Sequence, residues 1–130
     1  MYDSKEKLII YQLFPRIMTN TNANCVPWGT LAQNGSGKLN DYTSHVLRSI
    51  RDLGVNCLWF TGVIEHATKT DFSEYGVDPD NPNVVKGEAG SPYAIKDYYD
   101  IDPALADPVD DVPVSYTHLR AHETLAKLVC

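Results

Sequence analysis

Long apolar runs are missing from this 130-residue chain. Nothing in it approaches the ~18 consecutive apolar residues that a membrane-spanning helix needs. The N-terminus runs through a charged stretch, Met1 to Lys7, into an apolar stretch of only Leu8 to Tyr11, too short for the core of a signal peptide. Basic residues are scarce as well. Eleven Lys and Arg against seventeen Asp and Glu leave a formal charge of −6. That balance excludes a nucleic-acid surface of the usual basic kind, and an acidic chain gains nothing from anionic lipid headgroups. Cysteine is rare and badly spaced. Cys25, Cys57 and Cys130 are odd in number and lie far apart, forming neither a disulfide framework nor a paired-cysteine metal knuckle. The expectation is a chain with no nucleic-acid and no membrane partner, cytoplasmic by default. Its 43% of hydrophobic and 22% of charged residues read as globular rather than disordered.

What is present is a strand–helix–strand pattern with two unusually long connections. Leu8 to Phe14 is β-branched and aromatic, almost continuously apolar, and stopped by Pro15, as expected for a strand covered on both faces. Arg16 to Lys38 is rich in Asn, Thr and Gly and reads as a loop. Leu39, Tyr42, Val46, Ile50 and Leu53 then recur at helical steps. Asn40 or Asp41 is placed to cap this helix and Gly54 to end it. Val55 to Phe60 reads as a second buried strand, parallel to the first across the helical crossover. The stretch from Phe60 to about Asp111 has little regular pattern. From Glu65 it sets twelve acids against three lysines, a local charge of −9, and with Pro113 it holds six of the eight prolines. Both long segments leave the C-terminal ends of strands, where α/β folds place their ligands. Loops of such length are usually functional or disordered. Five aromatic residues, Phe72, Tyr75, Tyr93, Tyr98 and Tyr99, argue against disorder here.

Several familiar motifs fail on inspection. Gly35-Ser36-Gly37-Lys38 lacks the first glycine and the Ser/Thr of a phosphate-binding loop. Asp78 to Asn83 lacks the glycine and closing Glu of a calcium loop. His118 and His122 have no third ligand in a zinc pattern. Asn34-Gly35-Ser36 is a glycosylation sequon that matters only in a secreted chain. Glu65-His66, just beyond the second strand, could do acid–base work, but hydrogen bonds anchoring the loop are the favoured reading. The most informative segment is Tyr93 to Pro103, where tyrosine rings able to stack on sugars alternate with carboxylates able to accept sugar hydroxyls. The rival reading is a structural aromatic cluster that lets an acidic loop fold. Under the sugar-contacting reading, too, Tyr98 and Tyr99 are expected to act mainly through loop stability.

Three ordered segments resemble the α-amylase family, glycoside hydrolase family 13. Ile9 to Arg16 resembles its opening strand, IYQIFPRSF. Leu53 to Phe60, at the end of the segment from Gly37, resembles its second strand, LGVNALWLSP, and Ser91 to Tyr98 resembles a GYDISDY-like loop segment. The likeness covers about residues 8 to 107. It implies an α/β fold, the N-terminal, incomplete part of a (β/α)8 TIM barrel in residues 1–111. It also implies a retaining hydrolase of α-glucans such as starch or maltooligosaccharides. By resemblance, Tyr93 is the aromatic platform under the sugar at the cleavage subsite and Asp97 the acid that helps hold that loop. Pro92 stands where Gly is common, and Ala94 replaces an Asp or Trp, so linkage preference is left open. No catalytic residue is assigned. In this family both carboxylates, about 5–5.5 Å apart in a retaining enzyme, stand on later strands, so these residues alone are expected to be inactive. No metal ligand is assigned, and calcium in a longer parent is left open. From Val112 the tail, Val114 to Thr124 above all, resembles translated sequencing-adapter read-through; a short amphipathic helix is the alternative for residues 112–130. Two other readings of the chain compete: a small non-catalytic carbohydrate-binding module using the tyrosine-rich acidic loop, and a structural or interaction protein.

Overall fold

The computed structural model describes residues 7–106; the tail with His118, His122 and Cys130 lies outside the described residues. In chain order the elements are β1 (Ile10–Leu13), α1 (Pro15–Met18), α2 (Leu31–Asn34), α3 (Ser44–Arg51), β2 (Cys57–Phe60), β3 (Ile64–His66) and β4 (Ile95–Ile101). Single 3-10 turns occupy Leu39–Asp41, Ser73–Tyr75 and Pro103–Leu105.

β1 and β2 pair in parallel, Ile10 opposite Cys57 through Leu13 opposite Phe60. The crossover between them carries α3, which packs on one face of the pair. Leu13, Tyr42, Ile50 and Leu58 form the core there, with Val46, Leu47, Val55 and Phe60 around them. Each fully buried aliphatic side chain of this kind contributes about 1.5–3 kcal/mol relative to exposure. The Tyr42 and Phe60 rings meet edge to face at 5.3 Å. The Tyr42 hydroxyl is buried without a hydrogen-bond partner among the described residues, and burial, with Asp41 and Tyr11 nearby, pushes it up to about 12. A second cluster, Leu39, Ile101 and Leu105 with Val63 beside it, joins the end of β4 to the start of the crossover.

Two sequence expectations are corrected. The first is the incomplete (β/α)8 barrel. The described residues form two separate two-stranded sheets, one parallel and one antiparallel, and no barrel. The apolar run Leu8 to Phe14 was expected to be covered on both faces. Only one face is covered, and Ile10 is 54% and Trp59 59% exposed. Continuous apolarity states what a strand can bury; it does not state how many neighbours join it. The second is the helix. Leu39–Asp41 forms a separate 3-10 turn, and α3 starts at Ser44, with the Thr43 hydroxyl accepting from the Val46 N–H at 3.4 Å. Thr43 is a good N-cap because its side chain satisfies one of the orphan N–H groups of the first turn. Leu53 falls past the helix and is exposed, and Gly54 closes it at φ +89°, a conformation that glycine adopts without strain.

The acidic stretch after Phe60 is not irregular throughout. β3 and β4 form an antiparallel pair inside it. Short strands with broken register carry no clean alternation, which is why their period is invisible in the sequence.

Candidate functional site

The two long loops pack on each other beyond the C-terminal ends of β1 and β2, around one buried polar network. Arg16, in the first turn after β1, donates from Nη2 to Asp102 Oδ2 at 3.0 Å and from Nη1 to the Ala89 carbonyl at 3.2 Å. Its Nη2 also lies 3.0 Å from His66 Nε2. Nε2 also lies 3.1 Å from the Ala89 carbonyl, and Nδ1 faces the Ile64 carbonyl at 3.2 Å and Asp102 Oδ2 at 3.4 Å. Asp102 Oδ1 accepts from the Ala104 N–H at 2.9 Å and so caps the turn that Pro103 begins. Both carboxylate oxygens of Asp102 are therefore engaged. The network fastens α1, β3, the Ala89 loop and the end of β4 to one another. Gly90 lets that loop come close, because a Cβ there would stand 1.8 Å from the Ala67 carbonyl oxygen.

A cavity of about 340 Å³ lies beside the network, lined among others by Arg16, Asn20, Asn34, Thr68, Phe72 and Glu88. Its amides are spent on the loop itself. Asn20 donates to the Asn34 carbonyl, and Asn34 exchanges both of its side-chain bonds with the Val26 backbone. This explains the asparagine-rich composition of residues 16–38: side-chain amides do the backbone pairing that a helix or sheet would otherwise do. It also occupies the amide of the sequon at Asn34. Lys38, of the failed phosphate loop, donates from Nζ to the Ala104 carbonyl. Asp80, of the failed calcium loop, accepts from the Thr68 N–H at 3.0 Å and pairs with Lys96 at 3.3 Å. Lys96 also donates to the Asp78 carbonyl. Among the described residues no group of three His, Cys, Asp or Glu side chains is arranged to hold a metal ion.

Tyr93 sits in the turn leading into β4, with the Ala94 N–H bonded to the Ser91 carbonyl at 2.9 Å. Its side chain is 78% exposed. Asp97 lies on β4 directly opposite Glu65, and its Oδ1 accepts from the Tyr99 N–H at 2.8 Å. No hydrogen bond among the described residues joins Tyr93 to Asp97. The reading that gave Tyr98 and Tyr99 to loop stability is corrected, because both are largely exposed.

Glu65 behaves differently from its neighbour. It is 6% exposed, and none of the hydrogen bonds among the described residues uses its carboxylate. Burial raises its pKa above the ordinary glutamate range; Lys96 opposes the rise, and Asp100, Asp97 and Asp80 add to it. A carboxyl whose folded pKa is raised contributes stability that is complete at low pH. That stability is lost as pH climbs through the raised value. Glu65→Gln keeps the shape and removes the charge. The variant is expected to melt above the parent at pH 7.5 and close to it near pH 4, as followed by circular dichroism. Equal differences at both pH values would place the carboxyl in solvent.

His66 and Glu65 were visible in the sequence as a pair, and the structure divides them: His66 anchors, and Glu65 is buried with no hydrogen bond to its carboxylate among the described residues. Neither Arg16 nor Asp102 is marked as a site residue by the sequence patterns. The available signals were Asp before Pro, an N-cap ahead of a turn, and Arg directly after a strand-ending proline. Comparison with protein-family models, with curated proteins and with solved structures finds no match to this chain.

Proposed function

We propose that this chain is part of a retaining glycoside hydrolase acting on α-glucans, that it supplies a sugar-contacting surface, and that it does not itself cleave the substrate. The observation that carries this reading is Tyr93, an aromatic ring 78% exposed on a hydrogen-bonded turn ahead of a carboxylate-bearing strand. The α-amylase-like segments at Ile9–Arg16, Leu53–Phe60 and Ser91–Tyr98 support it. A neutral polyhydroxylated substrate also suits an acidic surface. Sugar hydroxyls donate to carboxylates, whereas phosphate-bearing polymers are repelled.

The inactivity follows from the carboxylates. Glu65 and Asp97 are cross-strand partners, and side chains so placed stand ~4.5–5.5 Å apart at Cβ. Yet Glu65 is buried and Asp97 is bound to a backbone N–H, so neither is set to attack a sugar carbon or protonate a leaving oxygen. The experiment is electrophoresis of the 130-residue chain through gels containing soluble starch, alongside a reducing-sugar assay. Retardation without sugar release is expected. Free migration would sink the glucan reading, and sugar release abolished by Glu65→Gln or Asp97→Asn would make the chain catalytic. The carbohydrate-binding-module reading shares the retardation and differs in denying any hydrolase parent.

A further inference from the structure

We infer that Tyr98 and Tyr99 form a second aromatic contact for the same glucan chain, presented by a bulge in β4 and separate from Tyr93. This rests on the glucan reading above and extends it to how many rings the substrate engages.

The bulge is unusually large. Between the pairs Glu65–Asp97 and Ile64–Ile101, β3 advances by one residue while β4 advances by four. Tyr98, Tyr99 and Asp100 therefore stand outside the pairing. An ordinary bulge inserts one extra residue, and bulges concentrate where a side chain must be re-aimed. Two carboxylates hold this one. Asp97 Oδ1 accepts from the Tyr99 N–H and Asp100 Oδ1 accepts from the Ile101 N–H, both at 2.8 Å.

The rings so presented are 74% and 83% exposed. Successive strand residues normally face opposite ways, so that in a sheet with a core one of two neighbours is buried. Here neither is. Core packing does not account for two adjacent exposed aromatics, and the ladder gains nothing from the residues that carry them.

The charge around the bulge selects the occupant. Asp97 and Asp100 flank the rings, and each has one carboxylate oxygen engaged in a bond to the backbone while the other is left as an acceptor. Lys96, the nearest cation in sequence, is already paired with Asp80. Nucleic acid would stack on tyrosine but meets carboxylates, and anionic lipid meets the same barrier. A sugar ring offers an apolar C–H face to the tyrosine and hydroxyl donors to the carboxylates. Tyr93 and Tyr98 are five residues apart, a span of at most ~18 Å of extended chain. One glucan chain can therefore reach both.

The test is the same starch gel, applied to the 130-residue chain and its variants, with near-UV circular dichroism as the folding check. The paired substitution Tyr98→Ala with Tyr99→Ala is expected to weaken starch affinity tenfold or more. Tyr98→Phe with Tyr99→Phe should stay within twofold of the parent, because stacking uses the ring. If the alanine pair binds starch within twofold of the parent while Tyr93→Ala has lost binding, the second contact is overturned and the glucan reading survives. If the unsubstituted chain is not retarded at all, both fall. Should the alanine pair fail to fold, tyrosine nitration of the unsubstituted chain with and without starch, mapped by peptide mass, decides. Protection of Tyr98 and Tyr99 by starch supports the contact, and equal modification overturns it. Retardation by polylysine without retardation by starch would assign the bulge to a cationic partner and overturn it equally.

Discussion

Asp102→Ala is expected to destabilise the described fold by about 3–5 kcal/mol, the usual cost of removing one partner from a buried ion pair. The substitution leaves the Arg16 guanidinium buried without its anion, removes the acceptor facing His66 Nδ1, and uncaps the turn at Pro103. Against total stabilities of 5–15 kcal/mol for natural domains, such a loss is a large share. Asp102→Asn should cost less, because an amide oxygen can still accept from the Ala104 N–H or from Arg16. Urea titrations of the three proteins, followed by circular dichroism, give the ordering. If Asp102→Ala unfolds within 1 kcal/mol of the parent, the network is not what holds the two loops together. The effect should be structural throughout, lowering starch retardation only as far as it lowers the folded fraction.

The parts of this fold that the sequence made legible are those with local causes. Pro15 ends the first apolar run, and Gly54 ends the crossover at a positive φ. Val46 and Ile50, four residues apart, mark the face of α3 that reaches the core, and Tyr42 joins them from just ahead of the helix. What stayed hidden depends on distant partners. Arg16 and Asp102 are 86 residues apart, and nothing near either one says that they meet. β3 is three residues long, and its pairing with β4 breaks register on both sides of Glu65, so no alternation survives to be read. The barrel expectation failed for a related reason. It rested on three segments that resemble a family, and likeness of short segments does not specify the neighbours that would bury their strands. The same limit applies to the candidate site. Tyr93 is singled out by the family resemblance of Ser91 to Tyr98, whereas its exposure, and that of Tyr98 and Tyr99, is a property of the turn and bulge that carry them.

Tyr93→Ala is expected to weaken the affinity of this chain for maltotriose several-fold, the remainder being held by the contact at Tyr98 and Tyr99. The ring is exposed and makes no aromatic pair among the described residues, so its loss should leave the melting temperature within a degree or two of the parent. That separates a binding role from a structural one. Tyr93→Phe should bind nearly as well as the parent, since the ring supplies the contact and the hydroxyl has no hydrogen bond to lose among the described residues. In a hydrolase that carries this segment the same substitution should act on rate. A sugar misplaced beside the reacting carbon can cost on the order of 100-fold, about 2.7 kcal/mol of transition-state stabilisation. The measurements are isothermal titration with maltotriose for the chain, and kcat/KM on a soluble maltooligosaccharide for the hydrolase. A Tyr93→Ala variant that stays folded, binds maltotriose within twofold of the parent and turns over within twofold would end the stacking role. The exposed ring would then be an incidental feature of a turn set by Ser91 and Ala94.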